Sequence, residues 1–133
     1  MMKYLFFSFI LLFVKISIAQ NEANIWYFNN YCGLDFNSGT PDVLYDGQTN
    51  TWGGSAAITD TLGNLLFYTD GHTVYNKNQE FMSNGLGLVG QSDCGVAIVK
   101  LPNSDNIYYV FTVAHVWTGW QGFYYSIFKN QKK

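Results

Sequence analysis

The side chains in this 133-residue chain that could do chemistry are few and scattered. There are two histidines, His72 and His115, and two cysteines, Cys32 and Cys94. A zinc site needs three or four ligands in close array, and neither an HxH nor a CxxC pair occurs, so both histidines are read as structural residues of a hairpin or loop. Glycoside hydrolysis needs two carboxylates flanking one bond, and Asp60 and Asp70 bracket one strand candidate. Both lie at turn positions, where an aspartate bonds its own backbone, and that is the role expected of them. No DxDxDG-type loop is present to bind calcium, and no GxSxG elbow to present a nucleophilic serine. Gly85, Gly87 and Gly90 form a glycine-rich stretch without the helix that a phosphate cradle requires. No catalytic residue, metal site or cofactor is therefore expected.

Three tryptophans carry more promise. Trp52, Trp117 and Trp120 fall in Gly/Thr-rich segments between strand candidates. Loop aromatics beside Asn, Asp and Gln can stack on the apolar face of a sugar ring or anchor a protein partner. The competing expectation is burial, in which they plug the space between sheets. They stand as the candidate binding residues, with a protein or glycan ligand unspecified.

The elements that must position these residues are strands. Aromatics make up 19% of the chain and charged residues only 12%, with 13 glycines; a soluble domain typically has about 25% charged residues, and the balance here favours β structure. "SAAITD", "LLFYT", "HTVYN" and "EFM" read as a meander of three or four antiparallel strands, with Asp70-Gly71 as its strongest turn signal. "SNGLGLVGQSD" reads as a glycine-rich connection. "GVAIVK", "IYYVFTV" and "GFYYSIF" then resume the extended pattern, "HVWTGWQ" interrupting. "IYYVFTV", apolar on both faces, suits a strand buried on both sides. Upstream, "NIWYF" is a first strand, and Asn29 to Gly54 is either a long ordered loop or a pair of irregular hairpins, with "DVLY" its extended part.

The meander repeats. Ala57-Ile58 and Ala97-Ile98 stand 40 residues apart, each opening a strand, a polar turn and an aromatic strand that reaches a threonine (Thr69, Thr112). A period of roughly 40–45 residues with four strands per unit is the mark of a β-propeller blade. The expected fold is all-β, built of antiparallel four-stranded meanders as a partial propeller of two to three blades, with a small β-sandwich as the alternative. A four-bladed ring needs roughly 160 residues at this period, so further blades of the same chain or an oligomer would be required to close it. "FKNQKK" follows a strand directly, and truncation at the C-terminus is expected.

The N-terminus reads as an export signal. Lys3 precedes an apolar run from Tyr4 to Val14, and Ser17 and Ala19 occupy the −3 and −1 positions of a cleavage site. That run is shorter than the roughly 18 residues that span a bilayer, and no later segment could span one. The organisation is thus a signal peptide over 1–19 and a β-propeller-like domain over 20–133. In an exported protein, Cys32 and Cys94 are a candidate disulfide, although spacing alone does not fix the pairing. Net charge is −2 and there is no arginine. An acidic body lacking the favoured phosphate-binding side chain excludes nucleic acid as a partner.

Three strings, "WYFNNYCGLDFNSGTPDVL", "ITDTLGNLLFYTDGHTVYNKNQEFMSNGLGLVG" and "AIVKLPNSDNIYYVFTV", resemble the N-terminal region of Bacteroidota gliding-motility-associated surface proteins. These carry a type B sorting domain for type IX secretion. The resemblance rests on the Gly33–Phe36 element, the Gly63–Gly71 hairpin and the aromatic strand from Ile107. It departs at Tyr75, where the family often has Trp, and near Lys100, where it often has Pro, and the 133 residues do not include the family's downstream modules and sorting domain. It implies a secreted, non-enzymatic binding or adhesion module with a propeller-like fold, placed at the outer cell surface, or in the periplasm if no sorting domain follows. A carbohydrate-binding module using the loop tryptophans is the alternative function, and part of a secreted hydrolase the second.

Overall fold

The computed structural model describes residues 21–90, 95–114 and 122–130. A single 3-10 turn, Asn21–Ala23, leads into ten strands: β1 (Ile25–Tyr27), β2 (Gly33–Asp35), β3 (Asp42–Leu44), β4 (Ala56–Thr59), β5 (Leu65–Thr69), β6 (Thr73–Asn76), β7 (Phe81–Leu86), β8 (Val96–Lys100), β9 (Ile107–Val113) and β10 (Phe123–Lys129). They form three open antiparallel sheets in the orders β1-β2-β3, β4-β5-β6-β7 and β10-β9-β8. The fold is all-β, as expected, and every sheet is a meander of consecutive strands. Only the middle sheet reaches four strands.

Turn chemistry sets the boundaries. In the β4–β5 turn, Asp60 Oδ1 accepts the N–H groups of Leu62 at 2.8 Å and Asn64 at 2.9 Å, and Gly63 takes a φ of 85°. Between β5 and β6, Asp70 Oδ1 accepts from His72 N at 2.9 Å and Thr73 N at 2.7 Å. Thr69 closes the same turn, its hydroxyl donating to Thr73 O at 2.6 Å. Each aspartate satisfies two backbone donors that the bend would otherwise strand. The segment 29–54 resolves into the hairpin-pair alternative: β2 pairs with both β1 and β3.

The sheets stack in chain order. Ile25 and Tyr27 of the first sheet pack on Tyr68, with Ala57, Leu65 and Tyr75 around them. Phe67 and Val74, on the opposite face of the middle sheet, pack on Tyr108, Val110 and Phe128 of the third. Phe67 meets Tyr108 edge-on at 5.3 Å between ring centroids. β4 touches both neighbours, β1 and β8. The middle sheet is thus covered on both faces, and it is β5 that is buried from two sides. β9 is not: Tyr108, Val110 and Thr112 face the core, while Ile107, Tyr109 and Phe111 are only half-buried. The run is apolar on both faces for a different reason than double burial.

The repeat has an unexpected orientation. Ala57 pairs with Tyr68 and Ile58 with Phe67, just as Ala97 pairs with Phe111 and Ile98 with Val110. Yet Ile58 and Phe67 face forward to the third sheet, whereas Ile98 and Val110 face back to the middle one. Equivalent residues therefore meet across one interface. Successive propeller blades would turn them the same way, because opposite strand faces alternate with every residue. Rotational stacking requires the alignment to move by one position, and the face-to-face relation is the sandwich alternative's geometry. Three open sheets accommodate both arrangements.

The glycine-rich connection also starts later than its composition suggests. Gly85 lies inside β7, where a Cβ would come within 2.9 Å of Val74 O and of Met82 O. Gly87 takes a φ of 74° after the strand, and at Gly90 a Cβ would stand 2.6 Å from Gly71 O and 2.7 Å from Thr112 Cβ. Gly85 thus permits close approach of backbone within the middle sheet, and Gly90 close packing of the connection against Thr112 of the third.

Candidate functional site

β1 ends against a turn that few sequences tolerate. Asn30 and Tyr31 both adopt left-handed backbone, with φ of 59° and 61°. Asparagine takes this conformation readily, whereas a tyrosine there is strained. The turn is closed by a backbone bond from Phe28 N to Cys32 O at 2.8 Å, and the free Cys32 thiol donates to Asn29 O at 3.1 Å. Cys94 lies outside the described residues, as do His115, Trp117 and Trp120.

A second loop, 45–55, is laid along this turn and fastened to it. Tyr31 N donates to Thr49 O at 3.0 Å. Thr49, fully buried, returns a hydroxyl bond to Phe28 O at 2.6 Å. Ser55 Oγ donates to Tyr27 O at 2.6 Å. Between these anchors sits Trp52, 97% exposed. Asn29 holds the residue on each side of it: Nδ2 donates to Gly53 O at 2.6 Å, and Oδ1 accepts from the Thr51 hydroxyl. The burial alternative for Trp52 is thereby overturned. Its ring is presented to solvent from a fixed backbone, with Tyr45 (82% exposed) and Tyr31 (49%) on the same two loops.

Beneath the loops lies a polar network joining the first two sheets. Tyr27 OH donates to Asp46 Oδ1 at 2.9 Å. Gln79, from the β6–β7 turn, donates through Nε2 to Tyr27 OH at 2.8 Å and to Asp46 Oδ2 at 3.2 Å, and its Oε1 accepts from Tyr68 OH. Gln48 N donates to Tyr68 OH at 3.0 Å. The rings stack: Tyr27 on Tyr68 at 4.2 Å and Tyr68 on Tyr75 at 5.2 Å. Burial pushes the Tyr68 phenol up to about 12. Burial, reinforced by the bond to Asp46 and its charge, pushes the Tyr27 phenol further still. Both hydroxyls thus stay protonated and hold their donor roles. The loop that carries Trp52 is tied through Asp46 to Tyr27 and Gln79, and through Gln48 to the fully buried Tyr68.

The other sequence candidates occupy structural posts. Asp60 and Asp70 close their turns as described. Burial works against ionisation of Asp60, yet bonds from the Asn64 side chain and from backbone N–H groups of residues 62–64 outweigh it and hold its carboxyl below the ordinary range. His72 lies beside Thr73, Nδ1 to Oγ1 at 3.3 Å. Among the described residues no group of three His, Cys, Asp or Glu side chains is placed to hold a metal, and no helix is long and apolar enough to cross a membrane.

Sequence reasoning picked out Trp52 but not the residues that display it. Asn29, Thr49, Asp46 and Gln79 carry no motif, and the Tyr27–Gln79 bond spans 52 positions. The one local signal was "NNYCG", in which asparagines favour left-handed backbone.

No protein-family model matches this chain, and no curated protein or solved structure matches it.

Proposed function

We propose that the chain is an exported, non-enzymatic binding or adhesion module that makes contact through the Trp52 loop. The observation that carries this reading is a fully exposed tryptophan whose flanking residues are both fixed by one side chain, Asn29. Exposing a large aromatic costs solubility, and fixing its backbone removes ordering entropy that a ligand would otherwise have to supply. Such a ring is poised to bury on contact, as the tryptophans that dominate interfaces do. The cell-surface setting follows from the resemblance to gliding-associated surface proteins together with the signal-like N-terminus.

A glycan is the second reading. Both faces of the Trp52 ring are open, which is what stacking on a sugar requires.

The test is adsorption of the labelled chain to whole cells, to protein-coated surfaces and to a panel of polysaccharides, compared with Trp52→Ala. Loss of a contact worth about 2 kcal/mol weakens binding roughly thirtyfold, while the far-ultraviolet spectrum and melting point stay unchanged. Retention on polysaccharide alone, competed by free oligosaccharide, selects the glycan reading. Equal binding by Trp52→Ala on every surface overturns both.

A further inference from the structure

The third sheet has one face in the core and one in solvent, and the solvent face is apolar almost throughout. Register places Val99, Tyr109, Phe111, Phe123, Tyr125 and Ile127 on it together, with Ala97, Ile107 and Val113 completing the surface. Phe123, Tyr125 and Ile127 are 68%, 62% and 59% exposed. The rings are mutually packed, with Phe111 stacked on Phe123 at 5.3 Å and Tyr109 against Tyr125 at 5.8 Å. The lone charge that the register places on this face is Lys129, at the end of β10, Lys100 falling on the other face. Taking roughly 200 Å² for each aromatic side chain, this face leaves about 600 Å² of apolar surface in water, above the ~400 Å² that a soluble domain tolerates without a purpose.

We propose that this face is a homodimer interface, on which the third sheet of one copy packs against the third sheet of another. Two such faces bury about 1,200 Å², the lower limit for a specific, stable interface. A two-fold arrangement sets the same patch against itself, and a patch with no charge at its centre meets no like-charge repulsion there, leaving Lys129 of each copy at the rim. The packing also continues what the molecule already does twice. Each interior sheet face is covered by the next sheet, and aligned face-to-face packing of sheets is a common geometry.

Analytical ultracentrifugation of the purified chain across a concentration series tests it. The expected result is a reversible monomer–dimer equilibrium in the micromolar range. The variants Phe123→Lys and Tyr125→Lys, at exposed positions, shift that equilibrium to monomer by tenfold or more while retaining the wild-type circular dichroism. Trp26→Lys and Val43→Lys, on the exposed face of the first sheet at the other end of the stack, leave it unchanged. A monomer at every concentration overturns the proposal. So does a dimer that dissociates on the first-sheet substitutions, or one indifferent to the third-sheet pair.

Discussion

Raising the pH attacks the contact between the first two sheets at a defined place. Tyr68 has no exposed surface, and burial raises its phenol to about 12 against 10.0 for the ordinary group. A group whose folded pKa is raised contributes its full stability below the unfolded pKa and loses it as the pH climbs to the folded one. Between pH 10 and about pH 12 the unfolded chain sheds the Tyr68 proton and the folded chain keeps it, so stability falls by roughly 1.4 kcal/mol per pH unit for this group. The two-unit gap amounts to about 3 kcal/mol from Tyr68 alone. Tyr27 is raised further, and Tyr75 and Tyr108 move the same way through burial, so each steepens the fall. A small domain is stable by only about 5–15 kcal/mol, and the chain is expected to unfold cooperatively in this window. Urea denaturation at stepped alkaline pH, followed by circular dichroism, gives the slope, and tyrosinate absorbance gives the protons. In Tyr68→Phe the slope should drop by close to one proton, whatever the variant's own stability. An unchanged slope in that variant, or stepwise ionisation of Tyr68 in the folded protein near pH 10, would refute the argument.

Three other substitutions probe separate contacts. Phe67→Ala removes the ring that meets both Tyr108 and Phe128 and is expected to cost about 3–5 kcal/mol, read as a lowered urea midpoint. Gly90→Ala drives a methyl group into Gly71 O and Thr112 Cβ; a loss of about 1–3 kcal/mol is expected, and a neutral result would mean that the two sheets part easily there. Asn29→Ala frees both flanks of Trp52. It should weaken adsorption through the Trp52 loop and raise protease cleavage within residues 50–54, at a stability cost of about 1–3 kcal/mol.

The strands with strong turns were legible from the chain. "LLFYT" and "IYYVFTV" coincide with β5 and β9, because the aspartate-glycine and Pro-Asn-Ser signals beside them act locally. β2 was not, since Gly-Leu-Asp has low strand propensity and is extended only because β1 and β3 lie on either side. The same holds at the end of β7, where Gly85 is strand by virtue of its close approach to Val74. The repeat was visible and its pairing register was kept, but which face each strand buries depends on the neighbouring sheets, and no local pattern encodes that. For the site, exposure of Trp52 is decided by Asn29 and Thr49, whose partners are about 20 residues away.

Every sheet in this molecule is made from strands that follow one another along the chain. Such a topology asks for only short loop closures, so each sheet can form soon after its own residues are free, without waiting for the rest. The slow step is then docking of preformed sheets, and the docking events converge on β4 and β5, which both meet the sheet on either side. For a chain made from its N-terminus, this order has a consequence. The first sheet can assemble early and Tyr27 can already donate to Asp46, but its stacking partner Tyr68 and its hydrogen-bond donor Gln79 arrive only with the middle sheet, so commitment to the native state is deferred until that sheet has been made.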